Sequence, residues 1–145
     1  MARDLKFDAD GVHFSVRAGL IMRYRGKIVC EVSRVGRNSV VPGGRVKLNE
    51  HSRDAILREA DEEMGLKLDV SRLVYVKNFE NFFQYDGIPV HEIYFLYEYE
   101  LDGEEAGRVG TLGDNMDNDT TYFTFIDKSE AEKYNLLPTT LYPLL

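Results

Sequence analysis

Two periodicities alternate along the chain. His13 to Met22 (HFSVRAGLIM) and Lys27 to Ser33 (KIVCEVS) are rich in β-formers, and Arg25-Gly26 between them marks the turn of a hairpin. Arg34 to Val41 leads back to a Pro42-Gly43-Gly44 junction, where the glycines permit positive φ and a close approach of a ligand to the main chain. From His51 or Ser52 the period changes to that of a helix, with Ala55, Ile56, Ala60 and Met64 supplying much of the apolar surface. Ser52 is the expected cap, Asp54 adds negative charge to the first turn, and Gly65 is placed to end the helix in a left-handed conformation. Beyond it, Leu73 to Phe79 reads as a strand, followed by the aromatic patch NFFQYDG and the strand VHEIYFLYEYEL. That last strand carries large apolar groups on both faces, so a sheet covered on two sides is expected. Gly103 to Thr120, polar and rich in Gly and Asp, reads as a mobile surface loop. The chain closes with the strand TTYFTFI and a short helix from about Ser129, and its first ten residues read as a polar lead-in.

Strands in hairpins, a helix between strands and a late helix predict an α/β fold, an α/β/α sandwich with a mixed sheet. The 145 residues suffice for one domain, 1–145, with a sizeable core. The acidic balance, 25 Asp and Glu against 18 Lys and Arg, disfavours a nonspecific grip on nucleic acid. A small anionic ligand then needs local help from metal ions or clustered Arg and Lys. Cys30 is the only cysteine, which excludes an intrachain disulfide and fits a reducing compartment. Within KIVCEV it reads as a buried core thiol. With no apolar leader in MARDLKFDADG and no run of 18 apolar residues, a soluble cytoplasmic protein without a membrane partner is expected.

The candidate chemistry is concentrated between Gly44 and Leu66. On a helix, Glu59, Glu62 and Glu63 share one face. Carboxylates held that close repel one another by about 1 kcal/mol per pair even at the dielectric of water, so a cation should bind them. Hard oxygen ligands suit Mg²⁺ or Mn²⁺, which take their remaining ligands from water and from a substrate's phosphates. An ordinary solvated acidic face does not account for the accompanying Gly44, Glu50 and Arg58.

From Gly44 the sequence runs through Glu50 to Arg58-Glu59-Ala60-Asp61-Glu62-Glu63-Met64-Gly65-Leu66, and it resembles the Nudix box, G-x5-E-x7-R-E-U-x-E-E-x-G-U with U aliphatic. Every fixed position matches, an event with a chance frequency on the order of 10⁻⁸ to 10⁻⁹ per starting position at ordinary residue usage. The resemblance implies the same sandwich fold and a nucleotide pyrophosphohydrolase, a hydrolase of the diphosphate linkage in a nucleoside diphosphate joined to another group. It also implies Glu59, Glu62 and Glu63 as ligands of Mg²⁺ or Mn²⁺, with the carbonyl of Gly44 as an additional one. Glu50 and Arg58 form a structural pair that ties loop to helix, because an arginine is no base at ordinary pH. Glu63, Glu62 and Arg58 are thus the catalytic candidates. The proton acceptor stays open among Glu62 within the box and Glu98, Glu100 and the carboxylates of residues 103–119 outside it. Family habit allows a homodimer. Other readings are a noncatalytic nucleotide-binding regulatory module, which should lose box carboxylates, an isomerase of isopentenyl diphosphate, and removal of diphosphate from RNA ends. Phe82, Phe83 and Tyr85 are candidates to stack on a base or to fill the core, and His13, His51 and His91 have no metal-like spacing.

Overall fold

The computed structural model describes residues 2–145. Nine strands form one mixed sheet: β1 (Lys6–Ala9), β2 (Val12–Tyr24), β3 (Lys27–Ser33), β4 (Ser39–Val40), β5 (Gly43–Arg45), β6 (Val74–Tyr85), β7 (Ile88–Glu100), β8 (Thr121–Asp127) and β9 (Leu136–Leu137). Two α-helices, α1 (Ser52–Met64) and α2 (Gly103–Leu112), and three 3-10 segments complete the chain.

The long strand β2 organises the sheet. Along one edge it pairs in parallel with β7, from His13↔Val90 to Arg23↔Glu100. Its other edge has three successive partners, β1 at residues 12–15, β5 at 17–19 and β3 at 23–24. The arrangement sets Gly43, Gly44 and Arg45 edge to edge with Gly19, Ala18 and Arg17. Arg25 and Gly26 both have positive φ, 50° and 79°, as a tight hairpin turn requires. The hairpin itself is only two pairs long; β5 takes the same edge of β2 at residues 17–19, and the other edge of β3 pairs with β8 along its length.

Alternation along β2 sends Val16, Ala18, Leu20 and Met22 toward Ala55, Ile56, Ala60 and Met64 of α1 and Ala106 and Val109 of α2. Ile21 belongs to the opposite cluster, with Ile28, Cys30, Tyr94, Leu96, Leu136 and Leu141. Cys30 is fully buried, as expected. The mixed α/β architecture matches the expectation, with the second face covered by Ala131, Tyr134 and the 3-10 segment Thr139–Leu144.

Local details differ from the sequence reading for identifiable reasons. The N-terminal lead-in contains β1, whose exposed residues pair with the start of β2. His51, rather than Ser52, caps α1 by accepting from the Arg53 N–H at 3.1 Å, and the Ser52 hydroxyl instead meets that of Tyr97 at 2.6 Å. Gly65 does end the helix, with φ 65°. Residues 103–112 are helical rather than a loop: Asp102 and Glu105 form a reciprocal capping box, and Ala106 and Val109 bury one face. The helix expected from Ser129 is a single 3-10 turn. The aromatic patch continues β6 up to a turn at Asp86 and Gly87, both at positive φ.

Candidate active site

Arg58 is the hub of the site. Its Nε and Nη2 donate to the two oxygens of Glu50, at 2.8 and 3.0 Å. Nη1 donates to Glu59 at 2.8 Å and to Glu62 at 3.3 Å, and Nη2 also reaches the carbonyl of Arg45 at 3.1 Å. Glu50 in turn accepts from the main-chain N–H of Lys47 at 2.9 Å. One planar fork therefore joins the loop after β5 to two helix carboxylates about one turn apart. The Arg58 guanidinium beside it holds the Glu50 carboxyl below the usual carboxylate range, and Glu50 raises the Arg58 value in return.

Gly44 lies directly beneath Glu59. A Cβ added there would sit 2.5 Å from the Glu59 carboxylate, so a side chain at this position would push that carboxylate away from the main chain. Burial raises the Glu59 carboxyl despite the contact with Arg58. Glu62, on the outer side, keeps 42% of its side chain exposed.

Glu63 points inward and is 6% exposed. Its Oε2 accepts from Asn115 Nδ2 at 2.7 Å, while Oε1 is buried and has no hydrogen-bond partner. Burial first, and the neighbouring Glu31 second, push its carboxyl up to about 9. Glu31 is raised as well, chiefly by burial, although it accepts from Thr121 Oγ1 at 2.9 Å and from Asn115 Nδ2 at 3.2 Å. One buried amide nitrogen thus bridges two carboxyl groups on different elements. The Met116 N–H donates to the Glu63 carbonyl at 2.8 Å and anchors the Asn115 loop on the end of α1.

The structure brings together Gly44, Glu50, Arg58, Glu59, Glu62 and Glu63. It leaves Glu98 apart, facing Arg23 at 3.3 Å, and Glu100 exposed at the end of β7. His13 pairs with Asp8, His91 with Glu80, and His51 caps α1, so the three histidines stay separate. Phe82, Phe83 and Tyr85 are exposed rather than core. Three residues of the site escaped the sequence reading: Glu31, Asn115 and Arg17, the last of which exerts its charge on both Glu31 and Glu63. Glu31 left one signal, a carboxylate interrupting the apolar run from Ile28 to Val32, two positions after Val29. Asn115 left none.

Among the described residues, no three His, Cys, Asp or Glu side chains already converge in a metal-holding arrangement. Arg58 draws one oxygen each from Glu59 and Glu62, and Asn115 draws one from Glu63. Among the described residues, Glu63 Oε1 is the buried side-chain oxygen left without a partner, although contact with the Glu63 side chain helps hold the Glu59 carboxyl down. Hard oxygen donors, one of them buried without a partner, and a glycine cleared of side chain fit a divalent cation.

A family model described as NUDIX domain matches residues 13–138. No curated protein matches the chain. Among solved structures, a MutT NUDIX hydrolase from Burkholderia pseudomallei is similar over 80% of this chain and 84% of that one, with 18% identity and a TM-score of 0.61. A MutT protein from Bacillus halodurans aligns over 89% and 78%, with 14% identity and a TM-score of 0.63. A C. elegans Ap4A hydrolase aligns over 83% and 85%, with 16% identity and a TM-score of 0.55. At these identities the likeness is one of fold.

Proposed function

Because the chain belongs to the Nudix domain family, we propose that it is a pyrophosphohydrolase dependent on Mg²⁺ or Mn²⁺, which cleaves the diphosphate linkage of a nucleoside diphosphate joined to another group. The observation that carries this reading is Glu63, a buried carboxyl with an unpartnered oxygen, set beside Glu59 and the bare main chain of Gly44. Glu59, Glu62 and Glu63, with the Gly44 carbonyl, would hold the cation. When bound, it offsets the charge on the phosphate oxygens and acidifies water.

The chain's own residues have distinct tasks. Arg58 positions Glu59 and Glu62 against the loop through Glu50 and the Arg45 carbonyl, and needs no contact with substrate. Asn115 orients Glu63 by holding Oε2, which leaves Oε1 to face the cation. Glu62, the most exposed of the three, is the carboxylate placed to take a proton from attacking water through its free oxygen. Glu98 is occupied by Arg23, and no hydrogen bond joins it to the box. A similar fold named for Ap4A hydrolysis is compatible with a nucleotide anhydride as substrate. Retention of every box carboxylate argues against a noncatalytic regulatory module. No helix is long and apolar enough to cross a membrane, and the single buried Cys30 suits the reducing cytoplasm we propose.

The test is a panel of nucleoside diphosphate derivatives with Mg²⁺ and with Mn²⁺, read by released phosphate, diphosphate or nucleoside monophosphate. Turnover of at least one anhydride only when cation is present is the expected result. No turnover of any of them by folded protein would contradict the reading.

A further inference from the structure

The aromatic run at residues 81–85 lies on β6, and β6 ends the sheet. Among the described residues this strand pairs only with β7, so the outer row of its main-chain N–H and C=O groups has no strand partner. The other open edges are short or covered: β1 has four residues, β9 has two, and the outer side of β8 is bridged by Gly113 and Asp114. Edge strands are ordinarily blunted by charge, proline or a bulge. In β6 the bulge falls between Tyr75 and Lys77, and from there to Tyr85 the only charges are Lys77 and Glu80. Asn81-Phe82-Phe83-Gln84-Tyr85 carries none, and Phe82 and Tyr85 are each 65% exposed. Phe83 and Tyr85 also stand, with Arg17 and Glu92, on the wall shared by two cavities of about 440 and 620 Å³. A small molecule in either cavity would cover rings and leave the main-chain edge beside them unpaired, whereas an added strand covers both.

A second copy of the chain supplies such a strand. A twofold axis at Asn81 pairs residues 77–85 of the two copies antiparallel, clear of the bulge. The side chains directly opposite are then Lys77 and Tyr85, Phe79 and Phe83, and Glu80 and Phe82, and no like charges face each other. An axis at Glu80 would oppose two carboxylates, and one at Phe83 would oppose Glu80 and Asp86. With a net charge of −7 two copies repel on the whole, and this uncharged run is where they can approach. At about 200 Å² per ring, Phe82, Phe83 and Tyr85 together expose about 350 Å² in each copy, or about 700 Å² in two. The paired main chain and the stems of Lys77 and Glu80 bring the total to the roughly 1,000 Å² of a small specific interface.

We propose that the protein forms a twofold dimer in which the β6 edges of two copies pair over residues 77–85 and join the two sheets into one. The association closes at two copies, because the edge that makes it is then covered.

The experiment is sedimentation equilibrium from about 1 to 200 µM of wild type, Phe82→Glu and a Glu80→Lys, Phe82→Glu double variant, each checked for folding by urea titration. Wild type should pass from monomer to dimer with a dissociation constant in the micromolar range. Phe82→Glu sets a carboxylate opposite Glu80 of the second copy and should raise that constant about thirtyfold or more. Adding Glu80→Lys sets opposite charges across the axis twice and should restore the constant to within about threefold. Hydrogen exchange needs no substitution: the outward amides of residues 77–85 in wild type should exchange about tenfold or more slowly in concentrated than in dilute protein. The inference is overturned by wild type that stays monomeric, by assembly beyond two copies, or by a dimer indifferent to Phe82→Glu. A loss that Glu80→Lys fails to restore, or exchange at 77–85 that ignores concentration, overturns it as well.

Discussion

Replacing Glu63 by glutamine in metal-free protein should reverse part of the pH dependence of folding. The Glu63 carboxyl is pushed up to about 9, by burial and then by Glu31, from an ordinary value of 4.5. A group whose folded value is raised contributes stability that is complete below the unfolded value and is lost as pH rises through the folded one. Between pH 5 and 9 the loss is about 1.4 kcal/mol per pH unit, or roughly 2.7 kcal/mol from pH 6 to pH 8. Glutamine preserves the shape and does not titrate. Its carbonyl can still accept from Asn115, and the amide nitrogen left at the position of Oε1 adds an offset independent of pH. Glu31 is present in both proteins and cancels to first order. Urea denaturation in chelator at pH 6, 7 and 8 measures the effect, with wild type expected to lose about 2 to 3 kcal/mol relative to the variant over that range. Parallel stability curves would refute the claim that Glu63 folds as a protonated acid. The same proton must leave when a cation binds, so cation affinity should rise with pH in wild type and lose that dependence in the variant.

Three further substitutions probe the supports of the site. Gly44→Ala, whose Cβ meets the Glu59 carboxylate at 2.5 Å, should lower kcat roughly a hundredfold through misplacement while costing about 1–3 kcal/mol of stability, measured by steady-state kinetics beside urea titration. Glu50→Gln removes the charge that Arg58 clasps through two donors and should cost about 2 kcal/mol, checked by denaturation at low and high salt. Asn115→Ala strips a donor from both Glu31 and Glu63 and should destabilise by about 1–3 kcal/mol, more at pH 8 than at pH 6.

The part of the site that is local in sequence is also the part that is legible in it. Gly44, Glu50 and Arg58 to Glu63 come together because one helix and the loop before it carry them all, and Gly65 marks where that helix must stop. Glu31 and Asn115 join the cluster from β3 and from the loop after α2, 84 residues apart, and only the sheet pairing reveals that one amide can span two carboxyls. Arg17 reads as one more polar position in a strand until the parallel pairing with β7 sets it opposite Tyr94 and between two cavities. Within 103–112 the glycines at 103, 107 and 110 mask the helix, because their intrinsic preference opposes it. The Asp102-x-x-Glu105 spacing and the Ala106–Val109 interval were the better guides, and capping plus burial outweigh the glycines. His51 displaces Ser52 as the cap because Ser52 already has a partner in Tyr97, a contact between helix and strand that local pattern does not carry.

The central claim, hydrolysis assisted by a divalent cation on the box carboxylates, is tested most directly by following product release from the best anhydride of the panel. Wild type and Glu63→Gln are each stripped of metal and then titrated with Mg²⁺. Wild type should be inactive in chelator and regain turnover with the cation, while the folded variant stays a few hundredfold slower at saturating Mg²⁺, about 3–4 kcal/mol of lost transition-state stabilisation. Turnover that persists in chelator, or full activity in Glu63→Gln, would contradict it.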